Sequence, residues 1–196
     1  MGDTFDADYY ERHYGSAETR VHSADEVAKL TTAVVSFIEW WQHPIETVLD
    51  VGAGVGHWGA WFKKHRPKVQ YRSTEFSAHA AKKYGHEQRD ITKWRAKETF
   101  DLVVCQGVLP YLDDAGAAKA IENLSAMAGA FLYLESITKR DIREVCDVDK
   151  TDIKVHDRTG KWYRARLDKH FLEVGCGIWC KRDAGVLFYE LESSGR

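Results

Sequence analysis

Proline is scarce in this chain of 196 residues, three in all against 15 glycines. That content argues against a disordered or collagen-like chain. No sign of charge dominates: 28 Lys and Arg stand against 30 Asp and Glu, a formal net charge of −2. Such a balance exerts no long-range pull toward nucleic acid or an anionic membrane. No apolar stretch approaches the ~20 residues that span a bilayer, because the longest, from Ala33 to Trp41, is broken by Ser36 and Glu39. The start, MGDTFDADYY, lacks the basic and apolar regions of a secretory leader, and Asp6 stands where an N-myristoylation pattern requires Ser or Thr. Cys105, Cys146, Cys176 and Cys180 form no CxxC pair. The single C-x-x-x-C at 176–180 has no matching His or Cys pair of zinc-site spacing. The expectation is a cytoplasmic protein with reduced thiols and no metal site.

What is present is a sizeable core. Hydrophobic residues make up 44% of the chain and aromatics 12%, and a chain of this length buries ~70% of its extended surface on folding. No repeat, low-complexity tract or linker divides it, so residues 1–196 read as a single domain. Ser23 and Glu26 form a capping box ahead of Val27, Leu30, Val34, Ile38 and Trp41, which recur at helical spacing. The helix they predict, from about 23 to 41, is stopped by His43 and Pro44.

Strands and helices then alternate. Strands are expected at 47–51, 69–75, 86–90, 100–106 and 130–135, and helices at 57–66, 77–84 and 113–127. The run Phe100 to Gln106 (FDLVVCQ) is apolar enough for the centre of a parallel sheet. This order predicts an α/β fold: a Rossmann-like, mostly parallel sheet with right-handed crossovers and helices on both faces. After a helix near Trp162 to Phe171, the segments 176–181 and 186–191 flank Arg182-Asp183-Ala184-Gly185. They read as a hairpin that supplies an antiparallel C-terminal strand. Segment 137–161 carries no regular pattern.

The informative segment is Asp50-Val51-Gly52-Ala53-Gly54-Val55-Gly56, between the first strand and its helix. Alternate glycines permit a tight turn and let backbone N–H groups approach a ligand at the carboxyl end of a strand. A dinucleotide fingerprint, G-x-G-x-x-G beginning at Gly52, requires glycine at position 57, where His57 stands. The register that starts at Gly54 fits as far as Gly59 but comes too late after the strand. Asp50 also suits a nearby cation, such as an amino-acid ammonium, better than a pyrophosphate.

The motif resembles that of the class I S-adenosylmethionine-dependent methyltransferases, (D/E)-x-G-x-G-x-G, and further stations of the family occur in order. The resemblance implies that Asp50, Gly52, Ala53, Gly54 and Gly56 cradle the cofactor, with Glu75 on the ribose hydroxyls and Phe76 beside it. It places Asp90 and Ile91 at the adenine, and Gln106 and Gly107, at the end of the fourth strand, beneath the methionine portion. Leu109 to Asp114 looks like the small-molecule branch. The cofactor implied is S-adenosylmethionine, with S-adenosylhomocysteine as product, and the reaction is an in-line displacement onto an oriented acceptor.

Substrate-side residues are less constrained. Tyr9, Tyr10 and Tyr14, with His13, lie in one amphipathic stretch. They form either a lid, with Tyr10 against the cofactor, or a helix that simply covers the sheet; residues 1–42 are taken as an N-terminal helical lid segment. Arg20 is either the partner of the cofactor carboxylate or a surface arginine. Residues 137–165 are a candidate acceptor-binding insertion. His156 is its candidate general base, with an ordinary pKa of ~6.5 suited to proton removal near neutrality. Trp162 and Tyr163 read as core anchors. The fourth strand lacks the (N/D)-P-P-Y run of enzymes acting on exocyclic or amide nitrogens, and no basic aromatic groove is present. The expected partner is therefore a small-molecule acceptor, neither nucleic acid nor membrane. The competing functions are a non-catalytic module that binds S-adenosylmethionine or S-adenosylhomocysteine, and an NAD-dependent oxidoreductase.

Overall fold

The computed structural model describes residues 5–193; the first four residues of the stretch read for leader and acylation patterns lie outside them. Seven strands form one sheet of order β3-β2-β1-β4-β5-β7-β6. They are β1 (Thr47–Val51), β2 (Gln70–Glu75), β3 (Glu87–Gln88), β4 (Phe100–Gln106), β5 (Ala128–Glu135), β6 (Phe171–Gly175) and β7 (Ile178–Lys181). The first five pair in parallel, and β7 runs antiparallel to both β5 and β6. The strand order reverses direction beside β1, between β1 and β4, which is where an open α/β sheet leaves a crevice.

The two-residue period of the strands sorts their side chains onto two faces. Leu49, Val51, Val103, Cys105, Leu132, Leu134 and Trp179 join one core, against helices α5 (Asp114–Met127) and α7 (Gly160–Leu167). Val48, Leu102, Val104, Phe131, Tyr133, Ile178 and Cys180 join the other. That second core is covered by α2 (Ala24–Trp40) and α3 (His57–His65). The capping box at Ser23 and Glu26 is formed, and Val27, Thr31, Val34, Val35 and Ile38 make the buried stripe of α2. Short helices α1 (Ala7–Tyr10), α4 (Ala78–Tyr84) and α6 (Lys139–Glu144) complete the set, with a π-helical turn over Glu11–Gly15 following α1.

The final hairpin differs from the sequence expectation. The reversing turn is Cys176-Gly177, between β6 and β7, with both residues at positive φ (50° and 78°). The segment 182–191 contains no strand. Cys176 therefore sits exposed in the turn while Cys180 is buried on β7, so the two do not share a strand face. Strand β5 also begins before Gly129, which was expected to precede it. All four cysteines are free. Among the described residues no helix is long and apolar enough to cross a membrane, and no His, Cys, Asp or Glu cluster could hold a metal ion.

Candidate active site

The glycine turn is fastened to the neighbouring strand. Gly52 and Ala53 both donate their N–H groups to the Thr74 carbonyl, at 2.8 and 3.0 Å. Gly52, Gly54 and Gly56 take φ values of 74°, 57° and 83°, a left-handed region that side chains rarely enter. At Gly52 space is the second constraint: a Cβ would lie 2.2 Å from Val108 Cγ2. Gly56 starts α3, so the helix N-terminus with its free N–H groups opens onto the turn. His86, which the sequence did not single out, sits within hydrogen-bonding distance of the Gly54 carbonyl through Nε2 (3.1 Å) and of Ser73 through Nδ1 (2.8 Å).

Two carboxylates meet this turn. Asp50 is 2% exposed on β1 and accepts a hydrogen bond of 2.5 Å from the Tyr71 hydroxyl. Burial pushes its pKa up to about 7; the Tyr71 bond opposes the shift and the nearby Glu75 adds to it. Glu75 ends β2 and is also buried. It accepts the Gly54 N–H (2.9 Å) with one oxygen and the Ser77 N–H (3.0 Å) with the other. A third carboxylate, Asp90, lies just beyond β3. Partial burial works against its charge, but hydrogen bonds from Thr92 and the Lys93 ammonium prevail and hold its pKa below the ordinary value.

Glu75, Phe76, Asp90 and Ile91 line one pocket together with Gly52, Gly54, Gln106 and Gly107, and Tyr10 also lines it. A cavity of about 550 Å³ continues along the ends of β1, β4 and β5, a volume ordinary for small-molecule sites. Asp50, Ala53, Trp58, Gln106, Tyr111 and Glu135 are among its walls. Gln106 is fixed from both sides: Trp58 Nε1 donates to its oxygen (2.8 Å), and its amide donates to Glu135 (3.2 Å).

The N-terminal segment lies over this crevice. Tyr9 and Tyr111 share a hydroxyl hydrogen bond of 2.8 Å. Tyr10 is buried and stacks with Tyr14 and His79, while Tyr14 reaches over Gly54. Arg20 does not line the larger cavity, but its charge, after burial, helps to hold the pKa of the wall residue His57 below the usual imidazole value. The structure does not bring His156 to the site. Its backbone N–H is tied to the Pro110 carbonyl at 2.8 Å, and its ring is exposed outside the cavity walls. The neighbouring Arg158 is 3% exposed. It donates to the Leu109 and Leu112 carbonyls and to Asp114, pinning segment 137–159 to the loop after β4. Glu135, Tyr111 and His86 were missed from sequence. Glu135 alone carried a signal, as a carboxylate at the ligand-binding end of a parallel strand.

The reversed seventh strand, the glycine turn and the strand-end carboxylates together give a fold of the methyltransferase type. Residues 49–130 match the family described as "Methyltransferase domain". The matched segment runs from within β1 into β5 and takes in the glycine turn, Glu75, Asp90 and β4. No curated protein matches the sequence of the chain.

Solved structures are similar in fold. Magnesium protoporphyrin IX methyltransferase (ChlM) from Synechocystis PCC 6803, with bound S-adenosylhomocysteine, is 16% identical, with a TM-score of 0.59 and 89% of each chain covered. An O-methyltransferase family protein from Burkholderia thailandensis is 15% identical at a TM-score of 0.57, covering 83% of this chain and 59% of its own. The plantazolicin methyltransferase BpumL, in complex with a pentazolic desmethylPZN analog and S-adenosylhomocysteine, is 12% identical at a TM-score of 0.55, with 72% and 63% covered. The chain spans less than two thirds of the length of the last two.

Proposed function

We propose that this chain transfers the methyl group of S-adenosylmethionine to a small organic acceptor held in the 550 Å³ cavity. The observation that carries the proposal is the placement of Glu75 and Asp90 in one pocket with Gly52, Gly54 and Gly107, adjoining that larger space. The residues suit an adenosylated amino acid. Glu75 offers two carboxylate oxygens to vicinal hydroxyls, and Asp90 with the Ile91 backbone suits an adenine edge. The apolar faces of Phe76 and Ile91 suit the ring. Asp50, held by Tyr71, suits an ammonium group, and a cation there favours its ionised form.

When bound, the cofactor supplies a methyl group activated on a sulfonium. The work of the chain is to align and to exclude water, and alignment of this kind can be worth ~7–11 kcal/mol of barrier. Gln106, locked between Trp58 and Glu135, and the glycine turn set the floor. Tyr9, Tyr10 and Tyr14 form the lid, latched by the Tyr9–Tyr111 hydroxyl contact. Arg20, whose charge acts on His57, is the candidate partner of the cofactor carboxylate. The four free thiols suit a cytoplasmic setting.

Thermal-shift measurements with S-adenosylhomocysteine, S-adenosylmethionine and NAD test the binding half of this reading: the two adenosyl compounds stabilise the protein and NAD does not. An acceptor screen for S-adenosylhomocysteine release tests turnover. Binding without release on any acceptor would make the chain a non-catalytic cofactor-binding module.

A further inference from the structure

The cavity next to the glycine turn has an electrostatic character that narrows its occupant. Glu135, Asp141, Asp147 and Asp152 all contribute to its walls, and among the described residues Lys150 is the only Lys or Arg that does. That lysine faces Asp147 at 3.9 Å, and the acidic groups of the walls outnumber it. Asp141 is occupied in the capping box of α6, accepting from Thr138. Glu135 and Asp152 differ. Among the described residues neither is paired with a Lys, Arg or His. The Glu135 carboxylate accepts from Gln106 and Tyr133, and that of Asp152 from the Lys154 N–H. Both lie close enough to Tyr14 for their charges to act on its phenol.

Tyrosines complete this wall. Tyr9, Tyr14 and Tyr111 surround the space between the two carboxylates and the glycine turn, and Tyr14 covers Gly54. Burial and the neighbouring Asp152 push the Tyr9 phenol up to about 12, so that it stays neutral at physiological pH. Of the histidines in the walls, His13, His22 and His57, burial disfavours protonation of His57. Aromatic faces attract cations through the ring quadrupole, and the attraction strengthens when the site is desolvated. A carboxylate acceptor would meet unpaired negative charge in the same place.

We propose that the acceptor is a cationic small molecule, a primary or secondary amine, bound between Glu135, Asp152 and the Tyr9–Tyr14–Tyr111 wall. This rests on the methyltransferase reading and goes beyond it in naming the substrate class. The bound ammonium first gives one proton to a cavity carboxylate or to water, freeing the nitrogen lone pair. That pair then forms the new N–C bond while the C–S bond breaks and its electrons stay on sulfur. The product is a methylated ammonium, and one proton is released overall.

The test uses the full chain saturated with S-adenosylhomocysteine, so that cofactor binding is established before any acceptor is added; failure at that stage refutes the methyltransferase reading itself. Phenethylamine, phenylethanol and phenylacetate are then titrated by calorimetry, and a panel of matched amines, alcohols and acids is screened for methylation. The proposal expects phenethylamine to bind at least tenfold more tightly than the neutral and anionic analogues, and turnover to be confined to amines. Asp152→Asn and Glu135→Gln should each weaken amine binding at least fivefold, with Asp152→Glu restoring it and Asp152→Asn keeping the parent affinity for S-adenosylhomocysteine. Equal or tighter binding of phenylacetate or phenylethanol, no binding of any of the three, turnover on alcohols or acids, or amine affinity indifferent to both carboxamide variants would overturn it.

Discussion

Replacing Asp50 with asparagine probes the site through the stability of the fold, with no ligand present. Burial, against the opposing Tyr71 hydrogen bond, raises the pKa of Asp50 from 3.8 to about 7 in the folded protein. Between those two values the unfolded chain has released a proton that the folded chain still holds. Stability therefore falls as pH rises, by about 1.4 kcal/mol per pH unit for this one group. The Asp50 contribution is intact below pH ~4, is lost progressively up to pH ~7 and is constant above, for a total on the order of 4 kcal/mol. The Asp50→Asn side chain keeps an oxygen to accept from Tyr71 and does not titrate. Urea denaturation of both proteins at pH 5, 6, 7 and 8 isolates the effect, because groups that do not couple to Asp50 cancel in the difference. The parent should lose stability relative to the Asp50→Asn variant by about 1.4 kcal/mol per unit from pH 5 to near 7, then run parallel to it. Parallel curves across the whole range would refute a buried, proton-holding Asp50.

Three further outcomes follow from the same geometry. If a ligand ammonium sits against Asp50, affinity for S-adenosylhomocysteine rises between pH 6 and 7.5 in the parent and is flat in Asp50→Asn, as calorimetry at four pH values would show. Gly52→Ala forces a side chain into the left-handed region and against Val108 at 2.2 Å, and should cost about 2–5 kcal/mol in urea denaturation; a loss below 1 kcal/mol would mean that the turn relaxes freely. Arg158→Met removes the donor shared by the Leu109 and Leu112 carbonyls and should lower stability by about 2–4 kcal/mol. Amide exchange should then quicken in residues 137–159 before it does in the sheet, whereas unchanged exchange there would deny that Arg158 anchors the segment.

The parallel part of the sheet was legible because its strands are buried on both faces. Val48-Leu49 and Leu102-Val103-Val104-Cys105 are uninterrupted apolar runs closed by glycine or a polar end, and that pattern survives without any knowledge of neighbours. The glycine turn was legible for a similar reason, since its backbone demand is written as residue type at fixed spacing. The last hairpin was not. Cys176 is weakly apolar and merged with Ile178 to Lys181 into an apparent strand, whereas the chain reverses at Cys176-Gly177 with both residues at positive φ. The two glycines flanking Cys176 were the available signal, outweighed by the Asp-Ala-Gly that follows. Long-range partnerships were invisible for a different reason. The contacts of Tyr9 with Tyr111, His86 with Gly54 and Glu135 with Gln106 exist only once the sheet order brings distant strand ends together. His156 shows the converse: a residue type suited to proton transfer, in a segment suited to acceptor binding, with its ring left in solvent.

The most direct measurement is calorimetric titration of S-adenosylhomocysteine into the parent protein and into Glu75→Gln. The variant keeps an oxygen for the glycine turn but loses the second carboxylate oxygen needed for a pair of ribose hydroxyls. The account predicts saturable one-to-one binding in the parent and at least tenfold weaker binding in the variant, about 1.4 kcal/mol or more. No binding in the parent, or equal affinity in the two proteins, would contradict it.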